Sequence, residues 1–284
     1  MKKIGFVCDK EVMDKLTKYA VNGRDTVNII QTAVSVAAME KRKNITMDDL
    51  NWVLETGRYT PVLSKKIGEA PQVGVVNGLA VYGADKGALL EVEVFAKKAD
   101  KKGSGAWKVT GIAEEEEIKN SSGQIKRAST AKASVENVMT AIGQFTDVAV
   151  EDYNIHINFP GGMPVDGPSA RITMFCGVYS AVKKLPISNK VAMTGELSLQ
   201  GKVLPVGAVP KKILAAKEAG AELVIIPKEN YQNNFDSLGI GVKCVSGVQE
   251  VLNIVFGEEG AADNRHYTQL PAAEQINILT AEGI

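Results

Sequence analysis

Residues 164–185 read PVDGPSARITMFCGVYSAVKKL, and this stretch demands burial. Ile172, Phe175, Val178, Val182 and Leu185 recur at the spacing of one helical stripe, which predicts a helix with a face turned inward. Such a helix is stable only where other elements cover it, so the chain must build layers around this point. Pro168 suits a first helical position, where its missing N–H has no partner to lose. Ser169 then stands at the N–H-rich, electropositive end of the helix. Two readings follow. The serine is a cap, or it is a nucleophile whose own backbone N–H helps to hold an oxyanion.

The flanking segments say what covers the helix. YNIHINF (153–159) alternates like a strand, KVAMTGELSLQGKVLPVG (190–207) reads as a hairpin turning near Gln200-Gly201, and AELVIIP (221–227) is a buried strand by its apolar continuity. KKILAAKEAG predicts a helix stopped by Gly220, and SGVQEVLNIVFG a helix capped by Ser246. Upstream, GLAVYG, ALLEVEVFA and WKVTGI are short β-rich runs, while EEEEIKNSSGQIKRAST reads as a solvated loop or helix surface. Strands and helices mixed in this order predict an α+β domain over residues 65–284, with a polar, weakly patterned tail from about 258.

The first 64 residues differ. Three helical segments, DKEVMDKLTKYAV, RDTVNIIQTAVSVAAMEKRK and ITMDDLNWVLETG, form a strand-poor helical subdomain. The third begins at Thr46, with Asp49 three residues on, and ends at Gly57. RYTPVLSKKIGEAPQVG, with two prolines and mixed charge, reads as the linker that follows.

Composition narrows the function classes. Lys plus Arg equals Asp plus Glu, 33 against 33, so overall charge argues for neither a nucleic-acid nor a membrane partner. The three cysteines form no CxxC pattern, no apolar run reaches membrane-spanning length, and the first residues carry no signal-peptide core. The expectation is a cytoplasmic chain in a reducing compartment.

His156 and His266 are the only histidines, too few for a His-rich metal site or a Ser-His-Asp triad. A serine nucleophile here therefore looks to lysine for its base. An unperturbed amine is almost wholly charged at neutral pH, and burial disfavours the charged form, so the lysine should lie on a helix packed into the core. GAVPKKILAAKEAG offers Lys211 and Lys212, and periodicity alone leaves both open.

PVDGPSA, then VAMTGELSLQGKVLPVG, then AVPKKILAAKEAGAELVIIP resemble the proteolytic domain of Lon proteases, and GLAVYG resembles the segment that opens it. The resemblance covers roughly residues 67–257 and is most specific over 153–227. It implies a Lon-type α+β proteolytic domain and a Ser–Lys dyad endopeptidase acting on unfolded polypeptides. Ser169 matches the nucleophile, and the separation of 43 residues assigns the base to Lys212. Thr194 in MTGE matches the threonine that orients the lysine, Asp166 matches the family's loop carboxylate, and Ser169 with neighbours such as Ala170 would give main-chain N–H groups to the oxyanion.

The helical first segment resembles the small α-subdomain of the AAA+ motor that precedes the protease, especially in the B-type arrangement. Arg24 occupies the position of a sensor arginine; with no GxxxxGK[ST] in the sequence, a surface arginine is the better reading, and no cofactor is implied for this chain. ATP would enter only if the chain were part of a longer Lon protein whose large ATPase subdomain is missing here. A homohexamer is implied as well. Two departures stand out. Arg171 occupies a position that the family usually gives to glycine, and Ala208 one where glycine is frequent. An arginine there would narrow the site, favour acidic substrate residues or disable it. That last outcome leaves the alternative of a non-catalytic assembly or regulatory subunit.

Overall fold

Alternation along the central strands sorts the second part of the chain into layers. On β4 (Val75–Tyr82), Val76 and Ala80 belong to one buried cluster and Leu79 to another; on β14 (Leu223–Pro227), Ile225 joins the first cluster and Val224 and Ile226 the second. That period of two is the pleat of a sheet buried on both faces. The computed structural model describes residues 5–20, 23–59, 65–82, 86–111, 115–120, 123–128, 130–161 and 167–257. It divides into two compact units, Met1–Ser64 with Gly83–Lys86, and Lys65–Tyr82 with Gly87–Ile284.

In the first unit, α1 (Lys10–Tyr19), α2 (Gly23–Met39) and α3 (Met47–Thr56) bury Val12, Leu16, Ile29, Ala33, Leu50 and Val53, and a two-residue parallel pair joins β1 (Val7–Cys8) to β2 (Asn44–Ile45). The capping box on α3 is present as its sequence predicts: Asp49 N–H donates to Thr46 Oγ1 (3.3 Å), and Thr46 N–H donates to Asp49 Oδ2 (2.8 Å). Arg42 adds a bidentate pair to the same carboxylate at 2.7 and 2.8 Å. The Arg42 guanidinium, with help from the Thr46 N–H and against the cost of burial, holds the Asp49 carboxyl down from 3.8 to about 2. A depressed carboxyl contributes stability above its unfolded value and loses it as pH falls through its folded value. The first unit is therefore expected to weaken between pH 3.8 and about 2. Asp49→Asn should cost it about 2 kcal/mol at neutral pH, read by urea unfolding, and should flatten that acid limb.

The second unit is built on a seven-stranded sheet ordered β15-β14-β11-β4-β5-β9-β6, where β5 is Lys86–Lys98, β6 Trp107–Thr110, β9 Tyr153–Asn158, β11 Val191–Met193 and β15 Gly241–Val245. Strands β4, β11, β14 and β15 run parallel to their neighbours in that half, while β5 pairs antiparallel with β9 and β9 parallel with β6. One face carries α4 (Thr130–Phe145), α5 (Arg171–Lys183) and α7 (Val248–Phe256); the other carries α6 (Val209–Ala219). Two-stranded pairs complete the unit: β3 (Gln72–Val73) with β10 (Pro186–Ile187), and β12 (Glu196–Leu197) with β13 (Val203–Leu204). The α+β class expected from the sequence holds. At the unit's C-terminal edge, the expected tail from about 258 lies outside the described residues.

Three local expectations need correction. The acidic run is not a loop or helix surface: β7 (Glu115–Asn120) and β8 (Gly123–Ala128) pair as an antiparallel hairpin with Ile118 opposite Ile125. With only Ile118 apolar in one strand and Ile125 and Ala128 in the other, neither run shows the apolar alternation of a strand, and the one local signal was the turn-forming Asn-Ser-Ser-Gly between them. Helix α7 is capped at Gly247 with no side-chain bond, so Ser246 lies one residue outside it. Helix α5 has no single apolar stripe; every residue from Ile172 to Ala181 is buried. Its polar residues are satisfied in place, Thr173 Oγ1 donating to Met193 O (3.4 Å) and Ser180 Oγ accepting the Gly74 N–H (2.8 Å).

Candidate active site

Ser169 lies in a 3₁₀ turn, Pro168–Ala170, that leads into α5. Cap positions fall on Gly167 for the turn and Ala170 for the helix, and neither makes a side-chain cap bond. The cap reading of Ser169 thus fails. The serine is 3 % exposed, and its carbonyl accepts two bonds, from Gly195 N–H (2.9 Å) and Thr194 Oγ1 (3.2 Å). Ala170 is buried, its N–H making a long 3.4 Å bond to Gly167 O.

Thr194 immediately follows β11, so it sits at the carboxyl end of a central parallel strand, and its N–H donates to Ile225 O of β14 (3.1 Å). Crevices at the carboxyl ends of such strands are where open α/β sheets gather their functional groups. From the opposite face of the sheet α6 brings Lys212, 2 % exposed, whose Nζ donates to Thr194 Oγ1 at 3.0 Å. The hydroxyl proton of Thr194 is committed to Ser169 O, so the threonine accepts from the lysine and donates to the serine's main chain. Lys211 is only partly buried. The structure thus brings Ser169, Thr194 and Lys212 together from three elements and two faces of the sheet.

Close approach makes this possible. A Cβ on Gly195 would lie 2.9 Å from Val203 Cγ1 and 3.1 Å from Ile172 Cδ1, so any larger residue there would push on the buried side chains that pack beside the serine's turn. Helix α6 is launched by Ala208 at φ 57°, ψ 31°, a left-handed conformation costly for a residue with a Cβ. Its carbonyl accepts the N–H groups of Lys211 (3.1 Å) and Lys212 (3.2 Å). Ala208→Gly is expected to stabilise the second unit by about 1 kcal/mol without loss of activity, measured by thermal unfolding and peptide turnover.

Arg171 does not project from the helix into open space. Nε donates to Ser134 Oγ of α4 (3.2 Å), and Nη1 donates to Glu196 Oε1 and Leu197 O of β12 (both 3.1 Å). Sequence reading missed Ser134, Glu196 and Gly195; Glu196 and Gly195 stand in the MTGE motif itself, whereas Ser134 carries no local signal. His156 on β9 meets Thr110 Oγ1 at 2.9 Å and belongs to a row of paired polar groups on the sheet. Arg24 is exposed near the start of α2, and Asp166 lies outside the described residues. Among the described residues no three His, Cys, Asp or Glu side chains gather as a metal site, and no helix is long and apolar enough to cross a membrane.

Comparison with known proteins identifies the family. Residues 44–257 match the family model for the Lon protease (S16) C-terminal proteolytic domain. Lon protease 2 of Bacillus subtilis is 52 % identical over 248 residues, 87 % of this chain and 44 % of the relative. Archaeal Lon proteases of Pyrococcus abyssi (32 % over 255 residues, 83 % of this chain, 24 % of the relative) and Halobacterium salinarum (38 % over 199 residues, 68 % and 26 %) are similar too. The chain spans less than half the length of these relatives. Since the matched stretch takes in most of the chain, with Ser169, Thr194 and Lys212 inside it, the chain belongs to the Lon protease family and carries that family's proteolytic domain.

Proposed function

We propose that this chain is a serine endopeptidase in which Ser169 is the nucleophile and Lys212 the general base, cleaving unfolded polypeptides as a Lon-like truncated form, or as part of a longer ATP-dependent protease. The observation that carries the reading is the buried run from Lys212 Nζ through Thr194 Oγ1 to the Ser169 carbonyl. Burial disfavours the ammonium form of a lysine, and a neutral amine can take a serine proton.

Ser169 Oγ attacks the peptide carbonyl as its proton passes to Lys212, and the oxyanion is held by main-chain N–H groups of the turn, Ser169 and Ala170 among them. The tetrahedral intermediate collapses, the C–N bond breaks, and the Lys212 ammonium gives its proton to the leaving amine. Water then attacks the acyl ester as Lys212 takes its proton, the Ser169 Oγ–carbonyl bond breaks, and Lys212 returns the proton to Ser169 Oγ, which restores the hydroxyl and the neutral amine. Thr194 holds the lysine in place. For Asp166 the proposal is a gating role in the loop before the serine, outside the chemistry itself.

Side chains and water suffice for these steps, so no cofactor is part of the proposal; ATP belongs to a motor in a longer protein. We place the chain in a homohexamer in the cytoplasm, with neither membrane nor nucleic acid as partner. Three unpaired thiols, at Cys8, Cys176 and Cys244, support a reducing compartment. A blocked, non-catalytic subunit would need Arg171 to fill the site, but its guanidinium is held by α4 and β12 and the side chain is 13 % exposed. Casein incubated with the folded chain, without nucleotide, should be cut to peptides. An intact hexamer that leaves casein whole would overturn the reading in favour of the non-catalytic subunit.

A further inference from the structure

Arg171 reaches two elements at once. Its Nε bonds Ser134 Oγ on α4, and its Nη1 bonds both the Glu196 carboxylate and the Leu197 carbonyl on β12. Ser134 is fully buried, and Arg171 itself is mostly sheltered, so these bonds form where water competes weakly.

The segment Thr194–Leu197 is consequently held along its length. At its start Thr194 N–H bonds Ile225 O (3.1 Å) and Gly195 N–H bonds Ser169 O (2.9 Å). At its end the two residues of β12 are tied by Arg171. Without the arginine, that end would keep its two-residue pairing with β13 and the buried Leu197 side chain, but nothing would tie the Glu196 carboxylate and the Leu197 carbonyl to α4. The segment matters because Thr194 Oγ1 is the group that receives Lys212.

We infer that Arg171 is a positioning residue: its guanidinium clamps the Thr194–Leu197 segment between α4 and the serine's turn, keeping the Thr194 hydroxyl where it meets Lys212. The inference rests on the Ser169–Lys212 reading above. The role suits arginine in particular, because its planar fork serves diverging acceptors on two elements, whereas a lysine nitrogen sits at one point. Where a glycine occupies this place, no such clamp exists. The departure that looked like an obstruction is thus a brace.

The test is a double-mutant cycle on a fluorogenic peptide, with melting temperature and particle size recorded for each protein. Arg171→Gly is expected to lower kcat about tenfold while KM moves less than about twofold, because a shifted catalytic group costs rate and not binding. Arg171→Lys should recover part of the loss, and Glu196→Gln should show a loss of the same kind. Thr194→Val should cost markedly less in the Arg171→Gly background than in the native chain, since both changes act on one arrangement. A merely structural role would instead give additive losses that follow the melting temperature.

Unchanged or raised kcat in Arg171→Gly, or additive losses, overturns the inference. If Arg171→Gly does not fold, Arg171→Lys and Glu196→Gln carry the same cycle with Thr194→Val. The two readings fail separately: a folded, assembled native chain without turnover removes the dyad itself, whereas an active native chain with an indifferent Arg171 removes only the brace.

Discussion

Ser169→Ala is expected to lower peptide turnover by at least about 10³-fold while leaving the fold and the substrate KM nearly unchanged. The contrast follows from what the serine does in the structure. Its carbonyl carries the bonds from Gly195 and Thr194, and alanine keeps that carbonyl. Only the hydroxyl is lost, and with it the oxygen that would form the acyl ester under the proposed mechanism. Casein fragments resolved by electrophoresis and rates on a fluorogenic peptide give the measurement, with circular dichroism as the check on folding. Cleavage persisting at the native rate would mean that a contaminant or another residue does the work.

Lys212 separates charge from basicity. Lys212→Met matches the side chain in length and removes a buried amine, so the protein should be at least as stable, while turnover falls by about 10³-fold or more. Lys212→Arg keeps a cation that cannot lose its proton in this pH range, so it should be as inactive as the methionine variant. In the native chain the rate should climb with pH as the ammonium gives up its proton, provided that chemistry limits the rate. An active arginine variant, or a flat profile between about pH 6 and 10, would remove lysine from the role of base.

How far these residues could be read beforehand depended on the distance over which their signals act. Val209, Lys212, Ile213, Ala216 and Ala219 are the buried positions of α6, but apolar Leu214 and Ala215 stand on the Lys211 side of the same helix, so periodicity left both lysines open and only the packing of α6 separates them. The capping box of α3 was legible because it acts over three residues. The clamp of Arg171 was not, since Ser134 and Glu196 lie 37 and 25 residues away in the chain. Ser246 offered a cap of good chemistry one residue too early, and in the structure its carbonyl accepts the Val203 N–H instead (2.9 Å) while Gly247 holds the cap position. The left-handed start of α6 could not be read from an alanine, which carries no sign of positive φ.

The proposed nucleophile and base come from opposite faces of the sheet, and the residue that follows β11, Thr194, bonds to Ser169 and to Lys212 alike. β11 is itself hydrogen-bonded on both sides, by β4 and β14, and β14 lies beyond Lys212 in the chain. A chain emerging from the ribosome therefore displays its serine, and later its lysine, well before the two can cooperate. On the proposed function, cutting power would arrive with the closing of the sheet. A protease of unfolded polypeptides would then be harmless to itself and to its siblings for as long as it is one of them.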